Sequence, residues 1–157
     1  MKVTDLFEKL SPKELNWLDH LADNLFSDLG IDVEFTKHFF DRANDERSDY
    51  RDRLGKAHEQ GITADELAAI FIAAHKNAKE GNPRFTKITD IPAGKEGVIT
   101  DFFSKINIPF VIQKDGKGKT IVPKTVMRKD KFTSPPGVKS VPVNSKDVVA
   151  PAGPEAK

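Results

Sequence analysis

The sequence has no cysteine, one tryptophan and one tyrosine among its 157 residues. The missing thiol excludes disulfide scaffolds, cysteine-ligated zinc or iron–sulfur centres, and thiol catalysis. No apolar run approaches the roughly 20 residues of a helical membrane span, so no membrane partner is expected. The first residues, MKVTDLFEKL, carry no uninterrupted apolar stretch of signal-peptide length. Charge of one sign is missing too: 25 Lys/Arg against 24 Asp/Glu leave +1, so bulk electrostatics select no partner. There is no Walker loop, nucleophile elbow or dinucleotide fingerprint. The 4 histidines stand without close metal-ligand spacing. Neither a metal nor another cofactor is expected.

Charge by segment is more telling. Residues 1–30 carry three lysines against six acids, a net −3. Residues 111–134 carry Lys114, Lys117, Lys119, Lys124, Arg128, Lys129 and Lys131 against Asp115 and Asp130, a net +5. That basic stretch reads either as a nucleic-acid face or as a sheet edge protected by lysines.

Ser11-Pro12-Lys13-Glu14 is a helix start, with a capping serine, proline at the first helical position and a glutamate that closes a capping box. Leu15, Leu18, Leu21, Ala22, Leu25 and Leu29 follow at helical spacing, and Gly30 is a stop. Ile31 to Phe35 reads as a short strand or an extended linker. A second helix is predicted over about Thr36–Asn44, continuing in interrupted form through Asp45–Arg53, with Phe35, Phe39 and Ala43 as its buried stripe and Phe40 beside them. Thr63-Ala64-Asp65-Glu66 opens a third helix with a second capping box, and Gly81 closes it. Val98–Phe103 suits a short helix or strand. Ile106–Lys114 and Thr120–Met127 are β-prone runs joined by the hairpin turn Asp115-Gly116-Lys117-Gly118. Pro109 and Pro123 place parts of these strands at an edge or bulge.

The expected fold is therefore α+β: N-terminal helices packed on a small antiparallel sheet, with an extended C-terminal arm. Three segments are expected: a helical one over 1–30, an α+β core over 31–134, and a tail over 135–157. The tail has five prolines in 23 residues and no aromatic. It reads as an extended or disordered arm whose valines (Val138, Val141, Val143, Val148, Val149) dock on a partner. The predicted core is Leu18, Leu21, Leu25, Phe39, Leu67, Ile70, Phe71, Phe102, Phe110, Ile112, Ile121 and Val126.

The segment from Phe35 to Arg47 holds the most chemistry. On a helix His38 and Arg42 share a face, and His38 and Asp41 are neighbours across one turn. Histidine exchanges protons near neutral pH, and arginine grips phosphate through two parallel hydrogen bonds. Cleaving RNA needs a base, an acid and cations around the transition state. The plainer reading is a helix whose polar face carries ion pairs. A second candidate is Lys124–Lys129, where Lys124 and Arg128 project from one side of a strand and flank one phosphate track. His20, His58 and His75 are weaker candidates.

His38-Phe39-Phe40-Asp41-Arg42, Arg47, Gly61-Ile62-Thr63-Ala64-Asp65-Glu66-Leu67 and the strand Lys124-Thr125-Val126-Met127-Arg128 together form a pattern. It resembles the toxin-like RNase superfamily that includes RelE-type toxins and colicin-D-like cytotoxic domains. The resemblance covers about residues 33–132. It implies helices on one face of a small antiparallel sheet, with the other face meeting RNA. His38, Arg42 and Arg47 would be helix-borne site residues, and Thr125 and Arg128 strand-borne ones. Lys114, Lys117, Lys119, Lys124, Lys129 and Lys131 would bind nucleic acid. The chain departs from active RelE-type toxins in one respect: no Tyr, His or Arg follows Arg128. It is also similar to small proteins of tailed bacteriophages. That implies a phage protein acting on RNA in the host cytoplasm, metal-independently if it is an enzyme. The alternative is a virion-associated protein whose arm binds a structural or host partner. Met1–Glu8 resembles leaders of internal phage head proteins, with Leu6-Phe7-Glu8 as the cleavage motif.

Overall fold

The computed structural model describes residues 11–49, 62–116, 118–129 and 132–151. The leader motif, His58, Lys117, Lys131 and the last six residues lie outside them. Among the described residues three helices and a six-stranded mixed sheet form the α+β arrangement that the sequence predicts.

The first helix, α1 (Pro12–Phe26), starts as its sequence dictates. Glu14 N donates to Ser11 Oγ at 3.1 Å and Ser11 N to Glu14 Oε1 at 2.9 Å. Leu18, Ala22 and Phe26 face the core. A short 3-10 turn ends at Gly30, whose φ of 70° lies in the left-handed region that favours glycine. The chain enters β1 (Ile31–Val33), then α2 (Lys37–Asp49) and α3 (Ala64–Glu80). Thr36 Oγ1 accepts from Phe39 N at 3.0 Å and opens α2. Thr63 and Glu66 form the capping box of α3. Phe35, Phe39, Phe40 and Phe71 make one aromatic cluster, with Phe35 within 5.2–5.4 Å of the other three ring centroids.

The strands β2 (Glu96–Asp101), β3 (Ile106–Asp115), β4 (Gly118–Pro123), β5 (Met127–Arg128) and β6 (Lys139–Val143) follow. The sheet order is β1-β4-β3-β2-β6, and β5 pairs with β3 below the end of β4. The centre, β4-β3-β2, is antiparallel, whereas the edge strands β1 and β6 run parallel to their neighbours. Lys124 N donates to Pro109 O at 2.8 Å, but Pro109 has no N–H to return, so the β3–β4 ladder ends there and pairing resumes at Met127.

The helices cover the face bearing Ile99, Ile106, Ile108, Phe110, Ile112, Ile121 and Val141, all buried in one cluster with Leu18, Phe26, Phe39, Leu67, Ile70 and Phe71. α1 shares this core with α2, α3 and the sheet. Phe102, expected inside, is 56% exposed, since β2 ends at Asp101 and Phe102 sits in the turn to β3. Among the other predicted core residues, Leu21 and Leu25 are half-buried against the cluster. The tail also differs from expectation. Val141 and Val143 do not await a partner; they are buried in the chain's own core as part of β6. Val149 remains 90% exposed.

The far face is not open throughout. β5 and β6 lie on opposite sides of the β2–β3 pair, so the chain between them must cross the sheet. Val98 and Asn107 point away from the helices yet are each 1% exposed. Asn107 Nδ2 donates to Lys129 O at 3.0 Å, which places the crossing on that face. Both edges are guarded. Val33 N, turned away from β4, donates to Asp23 Oδ1 at 2.8 Å. On β6 the outward Pro142 offers no N–H, and Asn77 occupies its carbonyl.

Gly97 and Phe110 are directly opposed across β2 and β3. A Cβ at Gly97 would stand 2.6 Å from Phe110 Cζ. Gly97→Ala is therefore expected to destabilise the fold by about 1–3 kcal/mol. Combined with Phe110→Leu, the loss should fall well short of the sum of the single losses in urea titrations; strictly additive losses would contradict this packing.

Candidate nucleic-acid site at the α2–β5 junction

α2, which carries the helix-borne candidates, packs beside β5, which carries Arg128. Phe39 and Ala43 anchor the buried side of α2. This turns His38 and Asp41 to solvent and leaves Arg42 half-buried. Arg47 stands on the same helix; its side chain lies outside the described residues. Thr125 is half-buried in the break between β4 and β5, beside the fully buried Val126. The helix beside β5 thus carries a titratable imidazole, a carboxylate and a guanidinium on its outer side.

Arg128 sits there in a role that the sequence did not show. Its Nη2 donates to Glu66 Oε1 at 2.9 Å and its Nη1 to Glu66 Oε2 at 3.2 Å, a forked pair. Nη1 also donates to Ser104 O at 2.9 Å. Only 16% of the Arg128 side chain and 28% of that of Glu66 are exposed. The same Glu66 carboxylate accepts from Thr63 N at 3.1 Å and closes the cap of α3. Arg128 therefore fastens the start of α3 and the β2–β3 turn to β5, and its charge is matched at close range. It positions the corner rather than gripping a phosphate there.

The lysines divide. Lys124 is exposed and reaches across β3 to Glu96 Oε1 at 2.5 Å. Lys129 is exposed, with its N–H on Lys105 O at 2.8 Å. Lys114 and Lys119 oppose each other at the far end of the hairpin, a like-charge pair that costs stability. From the level of Ile106 to that of Lys114 is eight residues of β3, about 26 Å. The hairpin tip and the α2–β5 corner are thus two separate basic places.

Sequence reasoning missed a polar group behind this corner. Asp101 is fully buried. Its Oδ2 accepts from Ser104 Oγ at 2.5 Å, Ser104 N at 3.2 Å and Ser145 Oγ at 2.6 Å; its Oδ1 accepts from Ser145 N at 2.8 Å. The signal was Asp101-Phe102-Phe103-Ser104, an aspartate able to cap its own turn, hidden inside an apolar run. A cleft of about 450 Å³ opens beside it, lined by Glu66, Phe103, Ser104, Ser145 and Val149 among others. A second cleft, of about 530 Å³ between α3 and β6, contains none of the candidate residues.

A third titratable group lies elsewhere. Asp28 lies 2.9 Å from His75 Nε2 and 2.8 Å from Lys79 Nζ, and the His75 ring stands edge-on to Phe26. It ties the turn after α1 to the end of α3. Among the described residues no group of three or more His, Asp or Glu could hold a metal ion. The chain matches no family model, no curated protein and no solved structure.

Arg128→Ala strips Glu66 of its cation and should cost about 2–3 kcal/mol, with Arg128→Lys recovering only part because an ammonium cannot make the fork. A loss below ~0.5 kcal/mol in denaturant titrations would show that the pair fastens nothing. Hydrogen bonds from Lys79 and His75 hold the Asp28 carboxyl below its ordinary 3.8. A depressed acid stabilises above its unfolded pKa and loses that contribution as pH falls through the folded one. Asp28→Asn should therefore flatten the fall in stability below about pH 4 and leave the curve unchanged between pH 5 and 7. An unaltered acid limb would contradict the contact.

Proposed function

We propose that this is a nucleic-acid-binding protein of the toxin-like RNase kind, acting on RNA at the α2–β5 corner. The observation that carries the reading is the packing of α2 beside β5. That packing sets the helix that carries His38 and Arg42 against the strand that Thr125 and Lys129 flank in sequence. The resemblance to the toxin-like RNase superfamily and to tailed-phage proteins supports a phage setting, with RNA in the host cytoplasm as target.

The chemistry such a corner performs needs no metal. The RNA 2′-hydroxyl attacks the adjacent phosphorus, and His38 accepts its proton. A cyclic phosphate forms as the bond to the 5′-oxygen breaks, and that oxygen takes a proton from a second donor or water. Arg42, Arg47 and Lys129 supply the positive charge that the crowded phosphate needs. Arg128 keeps β5 and α3 in register beneath them. Lys114 and Lys119, about 26 Å away, add affinity along the backbone of a bound strand rather than chemistry.

A second reading rests on the arm. Val149 is 90% exposed, although its neighbours Val148 and Ala150 pack against the core. It fits a virion-associated protein whose arm engages a partner subunit.

Purified protein incubated with labelled RNA in EDTA should cleave it. His38→Ala should lower the rate by roughly 10²-fold or more, the usual share of a general base. Arg128→Lys, if folded, should lose far less. No cleavage and no RNA binding by the folded wild type would refute the RNA reading and leave the arm as the functional element. Cleavage untouched by His38→Ala would refute the site.

A further inference from the structure

We propose that Asp101 is a positioning residue of the α2–β5 corner: through Ser104 it passes the docking of the C-terminal arm on to Arg128. The consequence for RNA rests on the reading above; the coupling itself does not.

Among the described residues no cation pairs with Asp101. Its charge is met by four hydrogen bonds, all from two serines on two different segments. Oδ1 is served by the arm alone, through Ser145 N. Lifting the arm would leave that oxygen bare and buried, which is too costly to persist. Asp101 would have to turn or be hydrated. Ser104 cannot stay where it is when this happens, because both its N–H and its hydroxyl rest on Oδ2 of the same carboxylate. The Ser104 carbonyl, in turn, holds Arg128 Nη1 at 2.9 Å. Arg128 then bears on Glu66, the cap of α3.

The chain of contacts therefore runs from Ser145 through Asp101, Ser104 and Arg128 to Glu66 and Thr63. Each link is charged or charge-assisted, and such bonds are the costliest to leave unmade. A protein partner that takes the arm would loosen the corner where α2 meets β5. Whatever keeps the arm docked keeps that corner assembled.

Native-state hydrogen exchange on the full chain reads this without any ligand. Ser145→Ala removes the arm's hydroxyl from Oδ2, the oxygen that also carries Ser104, and keeps the Ser145 N–H on Oδ1. It should raise exchange about fivefold or more at the amides of Lys129 and Glu66, which are remote from the lost group. The amide of Glu34, bonded to Ile121 O in the far half of the sheet, should stay within about twofold. Ser145→Thr, which keeps the hydroxyl, should restore protection, and Asp101→Asn should repeat the pattern of Ser145→Ala. In parallel, Ser145→Ala should bind a short single-stranded RNA about threefold or more weakly than wild type does. Exchange confined to the arm, with Lys129 and Glu66 unchanged, would overturn the coupling. The exchange pattern in the variants, together with no RNA binding by wild type, would uphold the coupling and refute the RNA reading.

Discussion

One guanidinium decides how the two halves of this fold meet. Arg128 leaves a two-residue strand and is held by the Glu66 carboxylate and the Ser104 carbonyl. A strand that short has little ladder of its own. It stays in place because its side chain is tied to a helix cap and a turn, both of which are fixed by other means. Glu66 is fixed by the capping box with Thr63. Ser104 is fixed by Asp101. The strand break after Pro123, which places Thr125 beside α2, is tolerable because the chain is caught again at Arg128.

The sheet explains why that corner lies at a rim. Its two long hairpin pairs occupy the centre, and parallel strands close both sides. The parallel strands need long connections. One is filled by α2, α3 and the first two hairpin strands. The other leads from β5 back to β6, and on the face away from the helices Val98 and Asn107 are buried, with Asn107 Nδ2 on Lys129 O. The family resemblance implied an open sheet face for RNA, but this face is partly taken by the chain itself. β5 and the β2–β3 turn meet at one end of the sheet, through Arg128 and Ser104, and α2 packs beside β5 there. The hairpin tip, with Lys114 opposite Lys119, is a second basic place too far away to share one phosphate.

Local rules made much of the fold legible. Two capping boxes, a proline at the first helical position and the glycine after α1 set the first and third helices as the sequence predicts. The hairpin over Asp115–Gly118 did likewise. What composition could not show was long-range pairing. The proline- and valine-rich tail looked incapable of packing by itself, and by itself it is. β6 forms because the edge of β2 offers it a ladder and the core offers Val141 and Val143 a place. Phe102 looked like core because apolar character alone marks burial, whereas the turn set by Asp101 points it outward. The site residues were legible as types. Which cations were already spent was not: Glu66 is 62 positions from Arg128, and Glu96 is 28 from Lys124.

The most direct measurement of the central claim is a map of amide chemical-shift changes on titrating the full chain with a short single-stranded RNA. Changes centred on α2 around His38 and on residues 124–129, with smaller ones at Lys114 and Lys119, are the predicted result. Changes confined to the hairpin tip or to the arm, or none at all, would contradict a nucleic-acid site at the α2–β5 corner.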